Sequence, residues 1–132
     1  MEQTIENITL EELTDCETLV MKVIWESEEV MSVQEITSRI NQRYHRDWKI
    51  QTVSTFLSRA VKKGYLDMKR KGRTFHYYPK VTEEAYGRRE ITKCVDVWGG
   101  GKLENLIASF AQAKRLTEEE KMQIRSLIDD MD

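Results

Sequence analysis

The residues best suited to chemistry fall in one short stretch. Gln51, Thr52, Thr55, Ser58, Arg59 and Lys62 recur at helical spacing within residues 51–63, with no acidic residue among them. Thr52, Thr55, Arg59 and Lys62, at i, i+3, i+7 and i+10, form one stripe of short hydroxyls and cations. A merely solvated helix surface usually mixes Glu with Lys at i, i+4, since each such pair stabilises the helix by roughly 0.2–0.5 kcal/mol. An acid-free stripe is better suited to approaching a phosphate backbone and reaching base edges. Arg59 would make a bidentate contact to guanine, and the threonines would touch phosphates or a thymine methyl.

Other reactive side chains lack partners in the sequence. His45 and His76 stand in no motif with Ser, Cys or a paired carboxylate, so catalysis is not expected. Cys16 and Cys94 fall on apolar helical faces and are expected to be buried small hydrophobes. No Cys-x-x-Cys or His-x-x-x-His spacing occurs, so neither a metal site nor a cofactor is expected. Gly99-Gly100-Gly101 follows a helix and lacks the Gly-Lys-Ser/Thr ending of a phosphate loop, so it reads as a helix stop.

Charge is sharply segregated behind a net value of −2. Residues 1–42 hold 2 Lys/Arg against 10 Asp/Glu, residues 43–80 hold 11 against 2, and residues 81–132 hold 8 against 11. A basic middle with acidic flanks suggests a polyanion-binding surface. With 132 residues, 39% hydrophobic and 33% charged, the chain is too apolar for a disordered one and too charged for a membrane protein. It has no apolar run long enough to span a bilayer, so a soluble, cytoplasmic protein without membrane insertion is expected.

The elements that must position the stripe follow from periodicity and caps. Thr14-Asp15-Cys16-Glu17 is a capping box opening a helix that runs to about Ser27, and Ser32-Val33-Gln34-Glu35 opens a second that ends near Tyr44. A connector with Trp48 as a core plug leads to the third helix, residues 51–63, whose inner face is Val53, Phe56, Leu57, Ala60 and Val61. Gly64 stops it. Two strand-like runs, 65–70 and 74–78, form a hairpin whose tip carries Lys69, Arg70, Lys71 and Arg73. Three helices followed by a hairpin is the order of a winged helix-turn-helix, so a mainly α chain is expected, with a DNA-binding domain at 1–80.

Residues 81–132 give three more helices. The first carries Ile91, Cys94, Val95 and Trp98, and the next two carry Leu103, Leu106, Ile107, Phe110 and Ile124, Leu127, Ile128, Met131. Three short helices cannot bury these stripes among themselves, so a helical dimerisation domain is expected.

Leu13-Thr14-Asp15-Cys16-Glu17-Thr18-Leu19-Val20-Met21-Lys22-Val23-Ile24-Trp25, Thr52-Val53-Ser54-Thr55-Phe56-Leu57-Ser58-Arg59 with Lys62-Lys63-Gly64-Tyr65, and Phe75-His76-Tyr77-Tyr78 stand in this order and spacing. Together they resemble the penicillinase/methicillin-resistance/copper-transport repressor family (BlaI/MecI/CopY). The resemblance implies a homodimeric winged-helix repressor on palindromic operators, with Gln51, Thr52, Ser54, Thr55 and Arg59 at the DNA-contacting positions. Lys62 and Lys63 complete the expected contact set with the wing cations. Ser54 stands where members often carry arginine, and Lys49-Ile50 where they commonly have Ser-Pro. Copper-responsive members end in paired Cys-x-Cys motifs, whereas this chain has Ile128-Asp129-Asp130-Met131-Asp132, so copper sensing is not expected. β-Lactam-responsive members are cleaved before a phenylalanine, at the request of a membrane receptor-protease. The matching bond is Ser109-Phe110, where members typically have Asn before the Phe.

The expected function is therefore transcriptional repression by a homodimer bound to double-stranded operator DNA. The alternative is a winged helix used as a protein-interaction module, which would more often expose an apolar or mixed-charge surface.

Overall fold

The computed structural model describes residues 11–131. Helix α1 (Asp15–Glu26) starts where the Thr14 hydroxyl accepts the Glu17 N–H at 3.2 Å and the Glu17 carboxylate accepts the Thr14 N–H at 3.0 Å. Strand β1 (Met31–Ser32) comes next, and Ser32 then caps helix α2 (Val33–Tyr44) through the same reciprocal pair with Glu35. Each box satisfies two backbone amides that a helix start otherwise leaves free. Helix α3 (Ile50–Lys62) follows a short connector, and strands β2 (Leu66–Lys71) and β3 (Thr74–Pro79) form the hairpin.

The sheet runs β1-β3-β2, all antiparallel, with Met31 opposite Tyr77, Tyr77 opposite Met68, and Lys71 opposite Thr74 at the hairpin end. Gly72 opens the two-residue turn with φ +69°, the left-handed value that tight hairpin turns require. β1 is absent from the sequence expectation because two residues are too short to show an alternation.

Against α1 and α2, α3 buries Val53, Leu57 and Ala60 completely, beside Val20, Met21, Ile36 and Ile40. Phe56 and Val61 pack at the edge of this core. Each fully buried aliphatic side chain contributes about 1.5–3 kcal/mol relative to exposure, so the inner face of α3 fixes which side must face outward. Leu66 and Tyr77 join the core, whereas their strand neighbours Met68 and Phe75 lie further out on the hairpin and are exposed.

Helix α4 (Glu83–Trp98) begins in this first unit. Val81, Ala85 and Tyr86 are buried, the Trp25 indole donates to the Val81 carbonyl at 2.8 Å, and Tyr86 stacks edge-on against Tyr65 with centroids 5.4 Å apart. The compact unit accordingly extends to Arg89.

The second unit, from Glu90 onward, holds the rest of α4, helix α5 (Leu103–Ala113) and helix α6 (Glu118–Asp129). The glycines end α4 as expected. The Gly99 and Gly101 amides both donate to the Val95 carbonyl, and a Cβ on Gly99 would meet the Val95 and Lys102 carbonyl oxygens at 2.8 and 2.7 Å. Thr117 and Glu120 cap α6, and Lys114 lies 2.5 Å from the Glu120 carboxylate. That ion pair, with the Thr117 hydrogen bonds, holds the Glu120 carboxyl at about 2.

Neither α5 nor α6 has a buried residue. Cys94 is exposed rather than buried, and Cys16 is half-buried. On the apolar face of α4 that carries Cys94, Ile91 is 63% exposed and Trp98 76%, while Val95 is half-buried. Cys94 instead edges an open apolar groove of about 560 Å³ lined by Leu106, Ile107, Phe110, Leu116 and Ile124. Among the described residues no helix is long and apolar enough to cross a membrane.

Candidate nucleic-acid interface

The outer face of α3 presents Gln51, Thr52, Thr55, Ser58, Arg59 and Lys62 to solvent, with Ser54 half-buried at its flank. Thr55 is exposed, and its hydroxyl donates back to the Gln51 carbonyl one turn earlier at 3.0 Å. Thr55, Ser58, Arg59, Val61 and Lys62 line a shallow open depression of about 460 Å³.

Two sets of cations differ in their partners. Lys22, Arg43, Lys63, Lys114 and Lys121 are each paired with a glutamate. Arg59 and Lys62 on α3, and Lys69, Arg70, Lys71 and Arg73 on the hairpin, form no ion pair among the described residues. Instead, Lys69 sits 5.1 Å from the Tyr78 ring centroid and Arg70 sits 6.0 Å from that of Phe75. Those contacts stiffen the two side chains without neutralising them. Arg70 Nε also donates to the Gly72 carbonyl at 3.2 Å, bracing the turn.

Lys63 departs from the expected contact set. It is the C-cap residue of α3, and its ammonium donates to Glu17 Oε1 at 2.6 Å and to the Glu12 carbonyl at 2.8 Å. A buried carboxylate is costly unless paired, so Glu17 draws Lys63 inward, away from the outer face.

Sequence reasoning also missed what holds the start of α3. Its N-cap is Lys49, with no side-chain hydrogen bond to the free amides. The Asn41 side chain, from the last turns of α2, accepts the Trp48 N–H and donates to the Trp48 carbonyl, both at 2.9 Å. Trp48, expected to plug the core, is half-buried at its edge, where its ring packs on Phe56 with centroids 5.2 Å apart. The only sequence signal for Asn41 is an amide near a helix end just before an unpatterned connector.

A three-helix core followed by a hairpin, with an acid-free outer face on the third helix, defines a winged helix-turn-helix, the class whose third helix is built to lie in a DNA groove. The model of the family described as "Penicillinase repressor" matches residues 13–130, and the chain belongs to that family. It is 26% identical over 117 residues to the methicillin resistance regulatory protein MecI of Mammaliicoccus sciuri, covering 89% of this chain and 93% of that protein. It is likewise 26% identical over 119 residues to the penicillinase repressor of Bacillus licheniformis, covering 90% and 91%. A solution structure of the DNA-binding domain of the repressor BlaI is similar with a TM-score of 0.50 and 30% identity, covering 65% of this chain and 94% of that one.

Proposed function

We propose that the chain is a cytoplasmic transcriptional repressor that acts by occupying operator DNA as a homodimer. The observation that carries this reading is the cationic surface made by the acid-free outer face of α3 and the hairpin end, whose six cations form no ion pair among the described residues. Gln51, Thr52, Ser54, Thr55 and Arg59 would face the major groove, while Lys62, Lys69, Arg70, Lys71 and Arg73 would track phosphates. The names of the relatives, a penicillinase repressor and a methicillin resistance regulator, agree with it. A protein-interaction module fits less well, because the outer face of α3 is polar and cationic rather than apolar or mixed.

Dimerisation would fall to the second unit. No apolar side chain is buried among its described residues, and Leu103, Ile107, Phe110, Ile124, Leu127, Ile128 and Met131 are all exposed, with Leu106 half-buried. Two copies meeting about a two-fold axis would cover these stripes and place two α3 helices on half-sites roughly 34 Å apart. Joining two modest half-site affinities raises the total by orders of magnitude. Cleavage at Ser109-Phe110, prompted by a membrane receptor-protease, would undo this. Both residues are exposed on α5, a helix with nothing buried, so opening it locally costs little.

The test is selection of duplexes from a random library by the full-length chain, with its mass measured by analytical ultracentrifugation. A dimer that enriches an inverted repeat is expected. A monomer, or a library without enrichment, would overturn the reading.

A further inference from the structure

We propose that Asn41 is a positioning residue for DNA reading: its side-chain amide sets the angle at which α3 presents Gln51, Thr52 and Thr55. The inference rests on the DNA-binding reading above.

Helices α1, α2 and α6 each begin with a reciprocal capping box, so their starts are fixed by their own residues. Helix α3, the element that would need the most accurate placement, begins at Lys49 with no side-chain cap. Its start is held from α2 instead. The connector leaves α2 through His45 in the left-handed conformation (φ 54°), and the Arg46 N–H donates to the Asn41 carbonyl at 3.2 Å. The Asn41 side chain then takes both backbone groups of Trp48, the residue immediately before the N-cap of α3. The amide acts as a short strand partner would, and the Trp48 ring lies on Phe56, more than one turn into α3. Backbone and side chain of one connector residue are thus tied to α2 and α3 at once.

Only a group with one acceptor and one donor side by side can satisfy both Trp48 atoms. Alanine offers neither. Aspartate at neutral pH offers two acceptors, one of which faces the Trp48 carbonyl, but a protonated carboxyl restores the donor. This chemistry gives a signature that simple loss of stability lacks. Asn41→Asp should behave as wild type when protonated and as defective when ionised.

The experiment uses full-length Asn41→Ala and Asn41→Asp, with Gln42→Asp as a control for charge near the end of α2. The probe is the duplex that the wild-type chain enriches from a random library. Dissociation constants are measured by fluorescence anisotropy between about pH 3.5 and 7.5, a range that spans the ordinary aspartate pKa of about 4, relative to wild type at each pH, alongside thermal midpoints and hydrogen exchange of the Trp48 amide. Loss of two hydrogen bonds predicts about tenfold weaker binding for Asn41→Ala and for ionised Asn41→Asp. Asn41→Asp should regain affinity and Trp48 protection as the pH falls, while the ratio for Gln42→Asp stays flat. If Asn41→Ala does not fold, the pH-dependent recovery of Asn41→Asp decides the matter. Wild-type affinity in both Asn41 variants, a deficit in Asn41→Asp that does not change with pH, or equal recovery in Gln42→Asp would each overturn the proposal. Failure of the wild-type chain to enrich any duplex would instead remove the DNA-binding reading, and this inference with it.

Discussion

Lys63, at the end of the helix that would read DNA, donates its ammonium to Glu17, at the start of the first helix, at 2.6 Å. Glu17 is 1% exposed and also closes the α1 capping box, while the Lys63 side chain is 16% exposed. The two ends of the pair are therefore not equivalent. Replacing Lys63 by Met leaves a buried carboxylate without its partner, whose cost is about 3–5 kcal/mol. Glu17→Gln keeps an acceptor for the Thr14 amide and lets Lys63 swing into solvent, a cost of about 1–2 kcal/mol. Urea unfolding of the two variants should rank them in that order. A larger loss for Glu17→Gln would show that Lys63, not Glu17, is the buried partner that matters.

All three capping-box glutamates titrate below their ordinary range. Burial raises the Glu17 carboxyl, but the Lys63 and Thr14 hydrogen bonds, with the fields of Lys63 and Arg59, more than offset it. The Ser32 backbone and hydroxyl bonds lower Glu35, and Lys114 followed by Thr117 lowers Glu120 to about 2. A depressed carboxyl stabilises the fold above its unfolded value and loses that contribution as pH falls through the folded one. The thermal midpoint should therefore hold near neutrality and decline once the pH drops below about 4.5. A midpoint unchanged down to about pH 3 would contradict the protective role of these caps.

The core of the first unit sets where it can be cut. A chain ending at Lys80 loses the burial of Val81, Ala85 and Tyr86 and the Trp25–Val81 hydrogen bond. Two sizeable apolar side chains at about 1.5–3 kcal/mol each make this a loss of about 3–6 kcal/mol relative to a chain ending at Arg89. Denaturant midpoints of the two truncated chains measure it directly. Equal midpoints would show that the start of α4 merely rests on the unit.

Much of this arrangement is legible in the sequence because it is local. The three capping boxes, the inner face of α3 and the glycine stop after α4 each depend on residues a few positions apart, and each stands where its pattern places it. What escaped depends on distance or on cover. Glu17 and Lys63 are 46 residues apart, so the buried charge that turns Lys63 inward leaves no local trace. Val81 and Tyr86 look like the start of a new helix, yet they complete the first core through Trp25 and Tyr65. Cys94 follows an apolar period faithfully, but periodicity names a face and not what covers it.

The hairpin cations give a second handle on the surface. Log affinity for any duplex should fall linearly with log salt, and Lys71→Ala should reduce the magnitude of the slope by about one. Random and selected duplexes should lose affinity together in this variant. A slope identical to wild type would place Lys71 off the phosphates.

The central claim is that the outer face of α3 reads bases, and Arg59 tests it most directly. Arg59 is exposed, forms no ion pair among the described residues and stands on the same stripe as Thr52, Thr55 and Lys62. The measurement is the ratio of affinities of Arg59→Ala for the selected duplex and for a random duplex of equal length, at one salt concentration. Loss of a base contact predicts a cost of about 1–3 kcal/mol on the selected duplex with far less change on the random one, so the ratio collapses. An equal loss on both duplexes would make Arg59 a backbone contact and contradict base reading by this face.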